Sequence, residues 1–348
     1  MLAAVMAAAA GFAYPKSLHG EIPADLRDAP FSPSALGQLG GDIKELPPVA
    51  PPGRDIGART GSGLKPLPAK EWTIMLFMNG KNNLKDAMGK NVNMLESVGS
   101  DSNVNIVVEL GLLRGGDTGS SGRPESRRFY ITRDSDPGKI TSKTFQASGK
   151  ADMGDYKRVV DFVNWSKAGF PARKYMLVIA NHGMGWINPR QASKGVSFDN
   201  GTNNYIRTKE LGRILRESGM VDILAFDACF MQAGEVAAEI GNNAAYIIGS
   251  EEAIPEAGLP YGLALKVLEQ RPDMSAREFS GAIAENYIQS YRQQKQGAHF
   301  SVIRTDKIEG FNELAGKFAA LAVGARDAGA LAAALPGMRE GYDRGVLL

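Results

Sequence analysis

Short apolar runs alternate with amphipathic segments along most of the chain. Trp72 to Met78 (WTIMLFM) is a continuous apolar run that ends at Asn79-Gly80, which is typical of a strand buried on both faces. Comparable runs follow at Asn105–Leu110 (NIVVEL), Tyr175–Ala180 (YMLVIA), Val221–Phe226 (VDILAF), Ala245–Gly249 (AYIIG) and His299–Arg304 (HFSVIR). The alternating segment Arg128–Thr132 (RFYIT) predicts a hairpin outside this series.

Helical patterns lie between these runs. Leu84, Met88, Val92 and Leu95 recur at helical spacing, and further helices are predicted over about 155–168, 208–218 and 231–241. Ser275 and Glu278 form a capping-box pattern at the start of another helix. Because apolar strands alternate with helices, the sequence predicts an α/β fold with a mostly parallel central sheet covered on both faces.

Two reactive side chains follow predicted strands. His182 comes two residues after YMLVIA, and Cys229, the only cysteine, comes three residues after VDILAF. The carboxyl ends of parallel strands meet at one edge of the sheet, where such folds place their chemistry. A lone free cysteine is often only a small buried hydrophobe, but this placement favours a nucleophile with a histidine partner.

The local sequences fit that chemistry. In Asn181–Trp186 (NHGMGW), Gly183 lets the backbone turn and leaves an N–H for an oxyanion. In Asp227–Met231 (DACFM), Cys229 is expected to begin the turn into a helix, whose N-terminus would stabilise a thiolate. His182 would carry a proton to the leaving amine.

The chain resembles the clostripain family of cysteine peptidases, within the caspase–legumain–gingipain group. The similar blocks are WTIMLFMNGKNNL, NHGMGW, KGVSFDN, FDACFMQAGEVAAEI and GSEEAIPEAGLPYG, in that order over roughly residues 71–262. The resemblance implies a caspase-like α/β/α sandwich and peptide-bond hydrolysis through an acyl-enzyme. It also implies that Cys229 is the nucleophile, His182 the general acid/base, and the N–H groups of Gly183 and Cys229 the oxyanion hole.

Specificity follows from the resemblance less directly. The family prefers Arg or Lys before the scissile bond and uses acidic groups to bind it. The matching positions here are Asp227 and the wall segment that contains Ser250, Glu251, Glu252 and Glu256. Ala257 stands where the family often has an aspartate, which weakens the expectation of basic specificity. Asp227 at a strand end is also consistent with a helix cap.

Processing and cofactors are further expectations. Several family members are cleaved between the histidine and cysteine blocks, and Arg190 and Lys194 lie in that stretch. An ordinary loop is an equally good interpretation. The sequence requires no cofactor or metal; calcium dependence is implied only by the resemblance, because no Asp-rich loop of the EF-hand type is present.

Composition along the chain bears on the domain organisation, the class of partner and the location of the protein. Residues 1–14 resemble a secretory signal without its basic n-region, and residues 15–70 are rich in Pro and Gly, typical of a linker or propeptide. The peptidase domain is expected over 71–348, without a clear terminating element at its end. A formal net charge of +2 without charge runs does not point to nucleic acid or an anionic membrane as a partner. The resemblance implies protein or peptide substrates. We expect a secreted or periplasmic bacterial protein without a transmembrane span; the oligomeric state is left open.

Two other classes of function remain as alternatives. The first is a catalytically silent caspase-like domain that binds a partner without hydrolysing it, since a domain can keep the fold of an enzyme without its activity. The second is a flavodoxin-like nucleotide- or flavin-binding domain. That class needs a glycine-rich phosphate loop after the first strand, and residues 79–83 (NGKNN) do not match one.

Overall fold

A computed structural model describes residues 68–113, 125–186 and 195–324, without side chains at 321–324. The strands are β1 (Lys70–Gly80), β2 (Val104–Leu112), β3 (Ser126–Tyr130), β4 (Thr144–Ser148), β5 (Ala172–Ala180), β6 (Gly195–Asp199), β7 (Asn204–Arg207), β8 (Val221–Asp227), β9 (Ala244–Gly249) and β10 (Ser301–Arg304). The helices are α1 (Lys85–Glu96), α2 (Tyr156–Gly169), α3 (Thr208–Ser218), α4 (Gly234–Ile240), α5 (Tyr261–Gln270), α6 (Ala276–Gln293) and α7 (Ile308–Gly324). Short 3₁₀ turns lie at Gly241–Asn243 and Thr305–Lys307.

The central sheet has eight strands in the order β10-β9-β8-β5-β1-β2-β3-β4. The five strands from β9 to β2 are parallel, and β10, β3 and β4 pair antiparallel at the two sides. The predicted mostly parallel α/β sheet and the hairpin at β3 are confirmed. A separate two-stranded sheet, β6–β7, has no counterpart among the predicted strands.

Helices cover both faces of this sheet because both faces of β1 are apolar. Trp72, Ile74, Leu76 and Met78 belong to one cluster with buried residues of α1, α5 and α6. On the opposite face, Phe77 packs against Phe162 of α2 with ring centroids 6.2 Å apart. The α/β/α layering predicted from the resemblance is therefore present.

Helix boundaries follow local hydrogen bonding. Ser275 and Glu278 form the predicted capping box at the start of α6. Asp155 caps α2 by accepting from the N–H of Lys157 at 2.9 Å. The helix expected over 231–241 is shorter, beginning only at Gly234, and that late start changes the setting of Cys229.

Residues 307–324 belong to a second compact unit. Its described element is helix α7, which is apolar overall with Glu309 in its first turn. None of the helices in the described part of the chain is long and apolar enough to span a lipid bilayer.

Candidate active site

The carboxyl ends of three neighbouring strands lie in one row. Met78 of β1 pairs with Ala180 of β5, and Ala180 pairs with Asp227 of β8. The loops that carry Asn83, His182 and Cys229 therefore leave the sheet at the same level. This arrangement is the one expected of parallel strands whose connections run through helices.

His182 is half-buried just past β5, and its ring is held by a residue from the loop after β1. Its Nε2 atom lies 2.7 Å from Oδ1 of Asn83. With the amide oxygen as acceptor, Nε2 carries the proton and Nδ1 is left to act as a base. Burial lowers the pKa of His182 and so favours the neutral form of the ring. Sequence reasoning missed Asn83, since nothing in NGKNN marks its last residue as a partner of a histidine 99 positions away.

Gly183 and Cys229 bring the two loops into direct contact. A Cβ atom on Gly183 would lie 2.3 Å from the carbonyl oxygen of Cys229 and 3.0 Å from Cβ of Ala228, so only glycine fits. Among the described residues, neither the N–H of Gly183 nor that of Cys229 has an acceptor. The two donors are thus available to a ligand.

The half-buried Cys229 lies in a turn rather than at a helix N-terminus, which corrects the sequence-based expectation. Helix α4 begins at Gly234, and the chain between includes Phe230 at φ +62°, a left-handed conformation. The thiol instead receives a hydrogen bond from the N–H of Ile254, which lies 3.3 Å from Sγ. The hydrogen-bond donor that faces the sulfur therefore comes from the loop after β9.

Asparagines that follow or end the central strands hydrogen-bond the β6–β7 hairpin at this edge of the sheet. Asn79 donates to Oγ of Ser197 at 3.1 Å and to the carbonyl of Phe198 at 3.0 Å. Asn181 accepts from the N–H of Phe198 at 2.8 Å and donates to the carbonyl of Asn79 at 2.5 Å. The N–H of Ser197 also donates to the carbonyl of His182 at 3.2 Å. The hairpin therefore supports the histidine loop from outside.

A buried lysine holds several loops together beside the site. Lys81, whose side chain is 2% exposed, lies 2.9 Å from Oε2 of Glu125 and 3.0 Å from Oδ2 of Asp199, and it also donates to the carbonyl of Ala151. Asp199 lies at the end of β6 and accepts from the N–H of Met153 at 2.9 Å. The lysine thus forms ion pairs with two carboxylates at the base of the hairpin.

Asp227 lies close to the nucleophile but faces inward. Its side chain is 3% exposed, Oδ1 accepts from the N–H of Leu259 at 3.0 Å, and Oδ2 accepts from the hydroxyl of Tyr261 at 2.6 Å. Burial raises the pKa of Asp227 to about 6, against the opposing effect of these hydrogen bonds. The structure does not show this carboxylate on the surface that a substrate would contact.

The other predicted wall residues follow β9 beside Cys229. Ser250 is buried, and its Oγ accepts from the N–H of Glu252 at 3.0 Å. Glu251 is exposed and donates its N–H to Nδ1 of His299 at 3.2 Å. Glu252 is half-buried, and Glu256 is exposed. The segment 250–260, whose Ile254 N–H reaches the thiol, therefore carries three glutamates and no basic residue.

Arg190 and Lys194, the predicted processing positions, lie in 187–194, outside the described residues. Within the described ranges, no group of three or more His, Cys, Asp or Glu side chains could hold a metal ion. We derive no step through a metal.

Comparison with known proteins agrees with this geometry. The model of the Clostripain family matches residues 76–333, about three quarters of the chain. Clostripain from Hathewaya histolytica is 29% identical over 184 residues, which is 47% of this chain and 35% of that protein. The match thus spans about a third of that relative's length.

Solved structures share the fold. A secreted C11 cysteine protease from Bacteroides thetaiotaomicron in complex with an irreversible peptide inhibitor aligns with TM-score 0.55 and 22% identity, covering 70% of this chain and 68% of that chain. An inactive zymogen C11 protease from Parabacteroides distasonis aligns with TM-score 0.56 and 20% identity, covering 71% of this chain and 66% of that chain. At these identities, the alignments establish the architecture alone.

Proposed function

Because the chain belongs to the clostripain family, we propose that it is a cysteine endopeptidase in which Cys229 and His182 form a catalytic dyad. The observation that carries the proposal is the convergence at the sheet edge. Gly183, next to the histidine, packs directly on the backbone of Cys229, and both residues have N–H groups free of acceptors among the described residues.

The reaction follows from these positions. Nδ1 of the neutral His182 removes the thiol proton, and Sγ of Cys229 attacks the scissile carbonyl carbon. The N–H groups of Gly183 and Cys229 bind the oxyanion as its charge develops. When the C–N bond breaks, His182 gives its proton to the leaving amine, and an acyl-enzyme remains. His182 then takes a proton from water, which attacks the thioester and releases the carboxylic acid product with the free thiol.

We further propose a preference for Arg or Lys before the scissile bond. Glu251, Glu252 and Glu256 support it, since they lie on the segment that reaches the nucleophile and no basic side chain there opposes them. Ala257 removes one acid that the family often has, so the remaining glutamates would have to supply the attraction.

A panel of fluorogenic peptides that differ only in the residue before the reporter tests this function. With Arg, Lys, Asp, Asn or Leu at that position, we expect hydrolysis of the Arg and Lys peptides to exceed that of the others by roughly 100-fold or more, because unpaired glutamates would face an uncharged side chain. Equal rates across the panel would contradict the preference. No hydrolysis of any peptide would favour the alternative of a catalytically silent binding domain.

Replacing Asn83 by alanine should lower kcat by roughly 10- to 100-fold with little change in KM, because His182 would lose the bond that selects its tautomer and orientation. Steady-state kinetics on the best peptide measures this split. Asn93→Ala is the matched control, since Asn93 donates to the carbonyl of Pro137 on the surface. A kcat unaffected by Asn83→Ala would show that the ring is oriented by something else.

We also propose that the protein acts outside the cytoplasm on peptide or protein substrates. The apolar, alanine-rich residues 1–14 support this proposal, as does the structural neighbour described as a secreted protease.

A further inference from the structure

The histidine loop forms a short antiparallel ladder with β6. Gly183 pairs with Val196 in an isolated bridge. Two hydrogen bonds flank this pair: the N–H of Met184 donates to the carbonyl of the first residue of β6 at 2.9 Å, and the N–H of Ser197 donates to the carbonyl of His182 at 3.2 Å. The bridged residues are therefore a non-hydrogen-bonded pair, whose own N–H and carbonyl groups point away from the partner strand.

The side of Gly183 that faces away from β6 is the side of the nucleophile loop. Strand β5 lies between β1 and β8 in the sheet. The hairpin is attached on the β1 side, where Asn79 and Asn82 donate to the carbonyl of Phe198 at 3.0 and 2.8 Å. The opposite side is that of β8, which Cys229 follows. The ladder thus directs the N–H of Gly183, which has no acceptor in the described ranges, toward the side of the thiol.

Ser197 gives β6 the shape that this ladder requires. Its φ is +62°, in the left-handed region that a residue with a side chain rarely adopts, and the register with β7 shifts between Val196 and Asp199. The hydroxyl of the fully buried Ser197 donates to the carbonyl of Met153 at 2.7 Å and accepts from Asn79 at 3.1 Å. Because such a bulge bends a strand and changes the direction of its backbone groups, β6 can bond to β7 and to the histidine loop at once.

We propose that Ser197 is a positioning residue, whose left-handed conformation keeps β6 paired with the histidine loop and so directs the N–H of Gly183 at the oxyanion of the transition state. This inference rests on the proposed peptidase function and deepens it. Because Ser197 acts through the backbone of the histidine loop, its effect should fall on the transition state and not on substrate binding.

Ser197→Val tests the conformation, because a β-branched side chain disfavours a positive φ. We expect kcat on the best fluorogenic peptide to fall by roughly 10- to 100-fold with KM within about threefold of wild type, since a misdirected oxyanion donor weakens only the transition state. Ser197→Gly, which adopts this φ freely and retains the N–H, should lose no more than about threefold. Lys295→Val is the matched control and should keep wild-type kinetics, because Lys295 has a φ of +57° but is exposed just after α6.

Alkylation separates the oxyanion donor from the dyad. Iodoacetamide reacts with the thiolate by displacement of iodide, which forms no oxyanion. In Ser197→Val, its rate at Cys229 should therefore stay within about twofold of wild type while kcat falls. If the alkylation rate falls in proportion to kcat, or if Ser197→Gly loses as much activity as Ser197→Val, the proposed role of Ser197 is overturned.

Amide hydrogen exchange tests the ladder without requiring activity. Exchange in peptides covering 181–186 should accelerate about tenfold in Ser197→Val and not in Lys295→Val, while peptides covering β8 keep their wild-type protection and show that the sheet is folded. Unchanged exchange over 181–186 in Ser197→Val would refute the role of Ser197 even if the protein hydrolyses peptides. Conversely, a wild type that hydrolyses no peptide, with faster exchange in Ser197→Val, would refute only the peptidase function.

Discussion

Cys229→Ala should abolish peptide hydrolysis, lowering kcat/KM by at least about 10⁴-fold, because the chain has no other cysteine to form the acyl-enzyme. His182→Ala should cause a loss of similar size, since the thiol would lose its base and the leaving amine its acid. The double variant should be no worse than either single variant, because the two residues act as one unit. Progress curves on the best fluorogenic peptide, at high enzyme concentration, measure these losses.

Because the chain has a single cysteine, alkylation provides a second test of the nucleophile. Iodoacetamide has one thiol to modify in the whole chain, so the mass change and the loss of activity should follow the same time course. The matched control is the wild type protected by an excess of peptide substrate, which should be alkylated more slowly. An alkylated protein that still hydrolyses peptides, or a Cys229→Ala variant with more than about 1% of wild-type activity, would exclude Cys229 as the nucleophile.

Lys81→Met should lower the free energy of unfolding by about 3–5 kcal/mol, because it leaves the buried carboxylate of Asp199 without its cation while preserving side-chain volume. Urea titration followed by far-UV circular dichroism measures the change. The exposed Lys85 on α1 provides the control, and Lys85→Met should stay within about 0.5 kcal/mol of wild type.

A double-mutant cycle isolates the pair itself. In Lys81→Met/Asp199→Asn, the unpaired charge is removed, so the double variant should be more stable than the sum of the two single losses predicts. Strict additivity would show that Lys81 and Asp199 are not energetically coupled. Asp199 ends the strand that supports the histidine loop. We therefore also expect Lys81→Met to have a lower kcat than wild type under conditions in which the variant is still folded.

The mostly parallel sheet, and the placement of His182 and Cys229 at one edge of it, could be predicted from the sequence. Apolar runs of strand length, separated by helical periodicity, indicate a doubly covered parallel sheet whatever the details of packing. The distance of His182 and Cys229 from the ends of their runs then places both at one edge. These inferences depend only on local patterns, which a single sequence contains.

The partners of those residues could not be predicted in the same way. Asn83 meets His182 across 99 positions, and the N–H of Ile254 meets Cys229 across 25. The β6–β7 hairpin was missed because its strands are five and four residues long and interrupted by an irregular register. Hydrophobic periodicity carries no information on contacts of this kind, because they form when separate loops pack together.

Cys229 and Asp227 illustrate the difference between what the sequence determines and what the tertiary structure decides. The sequence by itself determined that both stand at the carboxyl end of a buried strand. Only the tertiary structure decided which way each side chain faces. Cys229, in the turn with Phe230, is half-buried with its backbone carbonyl against Gly183, whereas Asp227 two residues earlier is buried and accepts hydrogen bonds from Leu259 and Tyr261. The physical reason is that strand position follows from local hydrophobicity, but side-chain environment depends on donors and volumes brought from distant parts of the chain.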